Sequence, residues 1–458
     1  MNAFNNRRDL TAILIKELLY PMWVLKNKSP RLRYLAQLEK SQYWTRDALL
    51  EHQWSAFKRI VAHAYLTCPY YRKKFQEAGI TPDDLRSPND VCKIPTITKV
   101  EIQEHRDEMI SSQYRDSDLI RDMTGGSTGS PMQFYYTKDR AESRAAATIR
   151  HNRWAGWDIG DRAAALWGAP RDIHNSGRKK DRIRDWILGR SLTLDASSLD
   201  ESTMFNFAQV LISYQPTVLQ AYANTAGLFA QYLRSKNIDY INPKSIVTSA
   251  EVLTNENRNL IEKTFGCAVY NRYGSREFSV IASECDVHDG MHVNAENLLV
   301  EILPSDKSSL ETDGEILVTD LRNFAMPMIR YQTQDIGHLK NGACECGRTL
   351  PLMELSGGRV TDFLTATNGK KVSGIVLATY VITNIRGIRQ VQFVQNQLGA
   401  VIIRIVKGQS WSSGDEAELI KKVREYLGDD VHTEIILQDS IPMEKSGKYR
   451  FSISNLTT

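Results

Sequence analysis

The sequence predicts an α/β protein with a large N-terminal domain, helical at its start, and a small α+β domain at its C-terminal end. Three observations lead there. Residues 1–120 read mostly as helix, with apolar positions at helical spacing. From Asp122 onward, short β-branched and aromatic runs alternate with helical stretches, as expected where helices cover a sheet. Near Ser356-Gly-Gly-Arg359 the composition shifts again, and the remaining chain has strands and a helix of its own. A chain of 458 residues is also too long for one ordinary core.

The elements follow in order. Met1 to Arg8 is polar and shows no secretory signal. Leu10 to Leu25 is apolar but carries Lys16 and Glu17, so it is too short and too charged to span a bilayer. It reads either as an amphipathic helix making peripheral contact with a membrane or as a helix packed on the body of the protein. Trp44 to Ala64 is a helix by its spacing, and Pro69-Tyr-Tyr marks a turn. Strands are expected at Met132–Tyr136, Thr217–Ala221, Lys244–Ser249 and Ala268–Asn271, with helices at Thr225–Lys236 and Asn255–Phe265. Past the second shift, strands are expected at Arg389–Val394, Ala400–Val406 and Thr433–Leu437, and a helix at Asp415–Leu427. The reading divides the chain into residues 1–361 and 362–458.

Composition narrows the function. Hydrophobic residues make up 42% and charged residues 24%, a soluble balance, and the net charge of +4 is small. With no concentrated basic stripe, nucleic acid is not an expected partner. The cluster Arg178-Lys-Lys-Asp-Arg-Ile-Arg184 reads as a surface loop. Six cysteines are too sparse for a disulfide framework and suggest a reducing cytoplasm.

The strongest chemical signal is Thr124, Gly125, Gly126, Ser127, Thr128 and Gly129, continued by Ser130-Pro131. Glycines let backbone amides converge on an anion, and hydroxyls add donors. The run lacks the Gly-Lys-Ser/Thr ending of a P-loop, and a strand follows it instead of a helix. Four weaker motifs come after it: Tyr273-Gly-Ser-Arg-Glu277, Tyr331-Gln-Thr-Gln-Asp335, Gly358-Arg-Val-Thr-Asp362 and Ser446-Gly-Lys-Tyr-Arg450. Cys344-Glu-Cys346 offers two soft metal ligands. Cys285 supplies a third thiolate, and either His292 or His288 an imidazole, giving the donor set of a closed, structural zinc site.

In this order and at these separations the motifs resemble the adenylate-forming superfamily of acyl-CoA synthetases, peptide-synthetase adenylation domains and luciferases. The resemblance runs from about Asp122 to the end of the chain. The Met326-Pro-Met-Ile-Arg-Tyr331 lead-in, Cys344-Glu-Cys-Gly-Arg-Thr-Leu-Pro351 and Cys68-Pro-Tyr-Tyr-Arg72 are similar to the phenylacetate–CoA ligase branch. Within it they resemble the CapK-like proteins of capsule and exopolysaccharide loci.

The resemblance implies roles. Thr124 to Gly129 would wrap the β- and γ-phosphates of ATP. Glu277 would hold Mg²⁺, and Ser249, Ala250, Glu251 and Tyr273 would line the nucleotide pocket near the adenine. Asp335 would accept from the ribose hydroxyls, with Arg359 assisting. Asp362 would be the hinge on which the small, mobile domain swings. Lys448 would bridge the substrate carboxylate and the α-phosphate. Cys285, His292, Cys344 and Cys346 would hold zinc, with His288 as the competing imidazole. The implied cofactors are ATP, Mg²⁺, coenzyme A and a structural Zn²⁺. The implied reaction joins a small carboxylic acid to AMP and then to coenzyme A. The alternatives are an amine or hydroxyl acceptor on a sugar or carrier, or a non-catalytic scaffold that keeps the fold.

Three positions depart from the superfamily pattern: Gln332 stands where arginine is usual, Gln334 where glycine or arginine is usual, and Met132 where lysine is common. The acyl pocket is expected to draw on parts of Trp154 to Pro170 and Gln220 to Ala226.

Overall fold

The computed structural model describes residues 9–124, 132–167, 188–196, 201–249, 251, 253–304, 313–359, 363–368, 371–373, 377, 385, 387–408, 411–441 and 452–456. The chain forms two compact units. The first is Met1–Glu301 with Leu317–Gln332 and Leu339–Glu354, and the second is Ile302–Ile316 with Thr333–His338 and Leu355–Thr458. The expected break at 361–362 and the basic cluster 178–184 lie outside the described residues.

The first unit opens with helices. The longest, Arg46–Thr67, is capped by the Thr45 hydroxyl, which accepts from the Ala48 amide at 3.2 Å. It buries Leu49, Gln53, Ala56, Phe57, Ile60, Val61 and Ala64, the spacing of one helical face. The expected turn at Pro69-Tyr-Tyr is instead the start of a second helix, Pro69–Glu77. The bend falls one residue earlier, at Cys68, because a residue before proline favours extended backbone and proline fits the first helical position.

A hairpin of β1 (Leu119–Met123) and β2 (Gln133–Thr137) follows. Beyond it come β3 (Ala163–Trp167), β4 (Ser191–Asp195), β5 (Val218–Tyr222), β6 (Ser245–Ser249) and β7 (Ala268–Ser275). These five run parallel in the order β4-β3-β5-β6-β7. Helices Ala223–Ser235 and Asn255–Phe265 make two of the crossovers. Their Phe229, Leu233 and Phe265 bury the sheet residues Leu219, Ile246 and Val269. β6 was legible in the sequence because Ile246, Val247 and Thr248 are β-branched.

β7 runs further than expected, through Tyr273 to Ser275, because β8 (Ser279–Glu284) turns back and pairs with it antiparallel. β9 (Met291–Val293) pairs with β8, and β10 (Leu298–Pro304), β11 (Gly314–Asp320), β12 (Tyr331–Lys340) and β13 (Leu352–Arg359) follow along the chain. The backbone at Ser356-Gly-Gly-Arg359 is thus the end of a strand, where composition alone suggested a break.

The second unit has its own sheet and core. β14 (Phe363–Thr365) pairs with β15 (Lys371–Ser373). β16 (Ile388–Gln397), β17 (Ala400–Lys407), β18 (His432–Leu437) and β19 (Ser452–Ser454) form a sheet in the order β18-β17-β16-β19. Helix Ser413–Leu427 buries Leu419, Val423 and Leu427 against Val391, Phe393 and Ile403.

Candidate functional site

The carboxyl ends of parallel strands are where α/β folds place ligands. Along that edge the register aligns Asp195 with Trp167, Tyr222 with Ser249, and Ser249 with Arg272. The rings of Trp167 and Tyr222 lie 4.4 Å apart. Both fall in the segments expected to shape the acyl pocket. Ser249 ends β6 half-buried, and Glu251 is also half-buried; Ala250 lies outside the described residues.

The Gly/Ser run springs from the β1–β2 hairpin. Its neck is closed by two hydrogen bonds: the Thr124 amide donates to the Met132 carbonyl at 2.9 Å, and the Met132 amide donates to the Thr124 hydroxyl at 2.9 Å. Residues Gly125 to Gly129 lie outside the described residues. Met132, where lysine was expected, is fully buried and serves as a plug at the neck.

Tyr273-Gly-Ser-Arg-Glu277 forms the tip of the β7–β8 hairpin. The pairing slips by one residue between Tyr273 and Gly274. Gly274 is required there, since a Cβ would lie 2.5 Å from the Ser279 carbonyl oxygen. Tyr273 and Glu277 are buried. The Glu277 carboxylate accepts from the Tyr331 hydroxyl at 3.3 Å, and the rings of Tyr331 and Phe278 are 5.8 Å apart. Two motifs separated in sequence are therefore joined by one hydrogen bond.

Arg144, on helix Lys138–Trp154, was not singled out in the sequence. Its guanidinium donates to the main-chain carbonyls of Glu277 and, at 3.4 Å, of Arg276. It also lies 4.4 Å from the centre of the Tyr136 ring, on the strand leaving the Gly/Ser run. Burial, then the neighbouring Arg140, lowers its pKa to about 10, so it stays charged at neutral pH. Asp320 offsets part of that cost: its carboxylate pairs with Arg140 at 2.8 Å and with Arg144 at 4.0 Å.

Asp335 belongs to the second unit, on β12. Its amide donates to the Thr333 hydroxyl at 3.2 Å, which in turn donates to the Ile316 carbonyl at 2.8 Å. Gln334 adopts φ +63°, the left-handed region. A glycine would suit that backbone without strain, which gives the usual glycine at this position a physical reason. Glu315 has its carboxyl pKa raised by burial and by the charge of Asp335. Arg359 ends β13, its side chain outside the described residues; Asp362 and Lys448 lie outside them altogether.

The cysteines converge in the first unit. The ligand atoms of Cys285, His292, Cys344 and Cys346 all lie within 4.8 Å of one another. The Cys285 and Cys344 sulfurs are 3.6 Å apart, and the Cys346 sulfur is 3.2 Å from His292 Nε2. Pairing of β13 with β9 sets Leu352 opposite His292 and so brings the Cys344–Cys346 loop beside it. His292 Nδ1 faces the Leu350 carbonyl at 3.2 Å, which leaves Nε2 for a metal. His288 takes no part in this group: its Nδ1 contacts the Glu284 carboxylate at 3.0 Å. Burial, foremost, pushes the Cys285 thiol up to about 12 and draws the His292 imidazole down to about 4, where it is neutral. Three thiols and a neutral imidazole at this spacing fit a tetrahedral zinc ion.

The CapK C-terminal domain profile matches residues 364–455. Protein CapK of Staphylococcus aureus is 25% identical over 429 residues, spanning 89% of this chain and 90% of that protein. Phenylacetate-coenzyme A ligase of Thermus thermophilus is 26% identical over 329 residues, 70% of this chain and 72% of the relative. Among solved structures, 2-hydroxyisobutyryl-CoA ligase in its postadenylation state superposes with a TM-score of 0.69 at 20% identity over 89% of each chain. The likeness expected from the motifs is present along most of the chain, and the fold is that of the adenylate-forming ligases.

Proposed function

We propose that this chain, an adenylate-forming ligase of the acid–CoA type, uses ATP to convert a small carboxylic acid to an acyl-AMP, releases pyrophosphate, and passes the acyl group to coenzyme A. The observation that carries this reading is the held carboxylate of Glu277. Tyr331 fixes one of its oxygens, and Arg144 ties its loop to the strand leaving the Gly/Ser run. A buried carboxylate at that point is a hard ligand suited to Mg²⁺, and that ion would neutralise phosphate charge.

The chain's own residues then divide the work. The Gly/Ser run, held at its neck by Thr124 and Met132, would offer backbone amides to the phosphates. Asp335 would accept from the ribose hydroxyls, with Arg359 beside it. Tyr273, Ser249, Ala250 and Glu251 would border the base. Lys448 would stand between the acid's carboxylate and the α-phosphate, where two negative groups must approach. Asp362 would be the pivot that withdraws Lys448 and admits the thiol. Zinc held by Cys285, His292, Cys344 and Cys346 would be structural, since four protein ligands leave no open position.

A second reading comes from the resemblance of the sequence motifs to CapK-like proteins of capsule loci. It replaces coenzyme A by an amine or hydroxyl on a sugar or carrier. The test is pyrophosphate release across a panel of acids, with and without coenzyme A, for wild type, Lys448→Ala and Glu277→Gln. Release with one acid, reduced about a hundredfold or more in both variants, is expected. Turnover that ignores coenzyme A would favour the second reading. A folded protein that fails to bind ATP would refute both.

A further inference from the structure

The segment Leu10–Lys26 is helical and has two apolar faces. One is buried: Ile15, Tyr20 and Val24 pack with Ala146 and Ile149 of helix Lys138–Trp154. The opposite face is open to water, with Leu10 76%, Met22 56% and Leu25 77% exposed, and Leu14 and Leu18 about as open as Met22. Positions 10, 14, 18, 22 and 25 step by four and three, so these side chains form one stripe. It runs roughly 22 Å at about 1.5 Å per residue. The helix thus packs on the body of the protein and still presents a second apolar surface, so the two readings left open by the sequence are compatible.

Charge indicates what meets that surface. Between Leu10 and Arg33 the chain has five cations against the single anion Glu17; Lys16 pairs with Asp158 at 3.0 Å and Arg31 with Glu142 at 2.8 Å, while Lys26, Lys28 and Arg33 are exposed. Lys26 and Lys28 are exposed directly beyond Leu25. Trp23, amphipathic and half-buried, lies at the same end with the Arg31 guanidinium 5.2 Å from its ring. A second copy of the chain would bring two such positive segments together and be repelled. An anionic surface with an apolar layer beneath it complements both features.

We propose that this stripe docks on an anionic lipid bilayer, the helix lying in the headgroup plane with Leu10, Leu14, Leu18, Met22 and Leu25 in the acyl boundary and the lysines among the phosphates. Aliphatic burial supplies the hold, and the charges supply the preference for anionic lipid. No helix among the described residues is long and apolar enough to cross a membrane, so this contact is peripheral. It does not depend on the adenylation chemistry.

The test is co-sedimentation of the full chain with vesicles of phosphatidylcholine alone or mixed with phosphatidylglycerol. Binding is expected to the mixed vesicles and to weaken as salt rises. Leu14→Glu with Leu18→Glu should lower partitioning about tenfold or more. Lys26→Glu with Lys28→Glu should remove the preference for anionic lipid. The substituted side chains are exposed, so melting curves and pyrophosphate release in solution should be unchanged. Absence of vesicle binding, or binding that survives the leucine substitutions, would overturn the proposal. So would a wild-type dimer that the same substitutions dissociate, because the stripe would then belong to a second copy.

Discussion

Arg144 donates to two carbonyls of the Glu277 loop and stacks on Tyr136 of the strand that leaves the Gly/Ser run. A guanidinium fork can hold two acceptors and a ring at once, and neither lysine nor methionine can. The depressed pKa means that its buried charge is a cost to the folded state, only partly offset by Asp320 at 4.0 Å. Removing it should therefore leave stability nearly unchanged, whereas a misplaced Glu277 should weaken catalysis. For Arg144→Met we expect kcat/KM for pyrophosphate release to fall about tenfold or more, or about 1.4 kcal/mol. The Mg²⁺ concentration giving half activity should rise, and Arg144→Lys should recover only part of the loss. A drop in melting temperature without a change in Mg²⁺ dependence would mean that Arg144 is merely structural. None of this was legible in the sequence. Glu277 and Tyr331 stood out by motif, but the bond between them, and the helix residue behind them, depend on contacts across more than fifty and more than a hundred positions. Gln334 was noticed as an oddity, and its positive φ became visible only with the backbone.

Short elements decide which side chains could hold a metal. The sequence offered His288 and His292 as alternatives, because both spacings suit a ligand. Strand pairing separates them: β9 carries His292 to the cysteines alongside β13, while His288 sits in the turn after β8 at φ +58°, against Glu284. A turn and a loop far apart in the chain would be stapled by one ion. We expect elemental analysis to find about one zinc per chain in wild type and in His288→Ala, and none in Cys344→Ser. Chelation should lower the melting temperature by about 3 °C, the effect of about 2 kcal/mol in a domain of this size. Full stability after chelation, or zinc retained by Cys344→Ser, would refute the assignment. Helix Asn255–Phe265 was read to its bounds, while the long helices Lys138–Trp154 and Glu201–Tyr214 were not named. Errors fell where proline or a returning strand resets the backbone, at Pro69 and at Tyr273–Ser275.

At the scale of the whole molecule, the two units differ in what holds them. Among the described residues, the main core cluster of the second unit runs from Leu364 to Val431, and its strands β16 to β18 pair with one another. That self-sufficiency underlies the composition shift seen in the sequence. The grouping of Ile302–Ile316 and Thr333–His338 with this unit rests on contacts between distant strands, which a linear reading does not contain. A unit with its own core should unfold on its own. A fragment of residues 363–458 is therefore expected to melt cooperatively, and the full chain to give two calorimetric transitions. MgATP at about a hundredfold over its Kd should stabilise what it binds by about 2.7 kcal/mol. The phosphate, Mg²⁺ and adenine contacts proposed for the first unit should raise its transition, and because Asp335 and Arg359 precede residue 363 the fragment's melt should stay unmoved. An uncooperative fragment would mean that the second unit needs the segments before residue 363. A fragment stabilised by MgATP would place nucleotide contacts in it beyond Lys448.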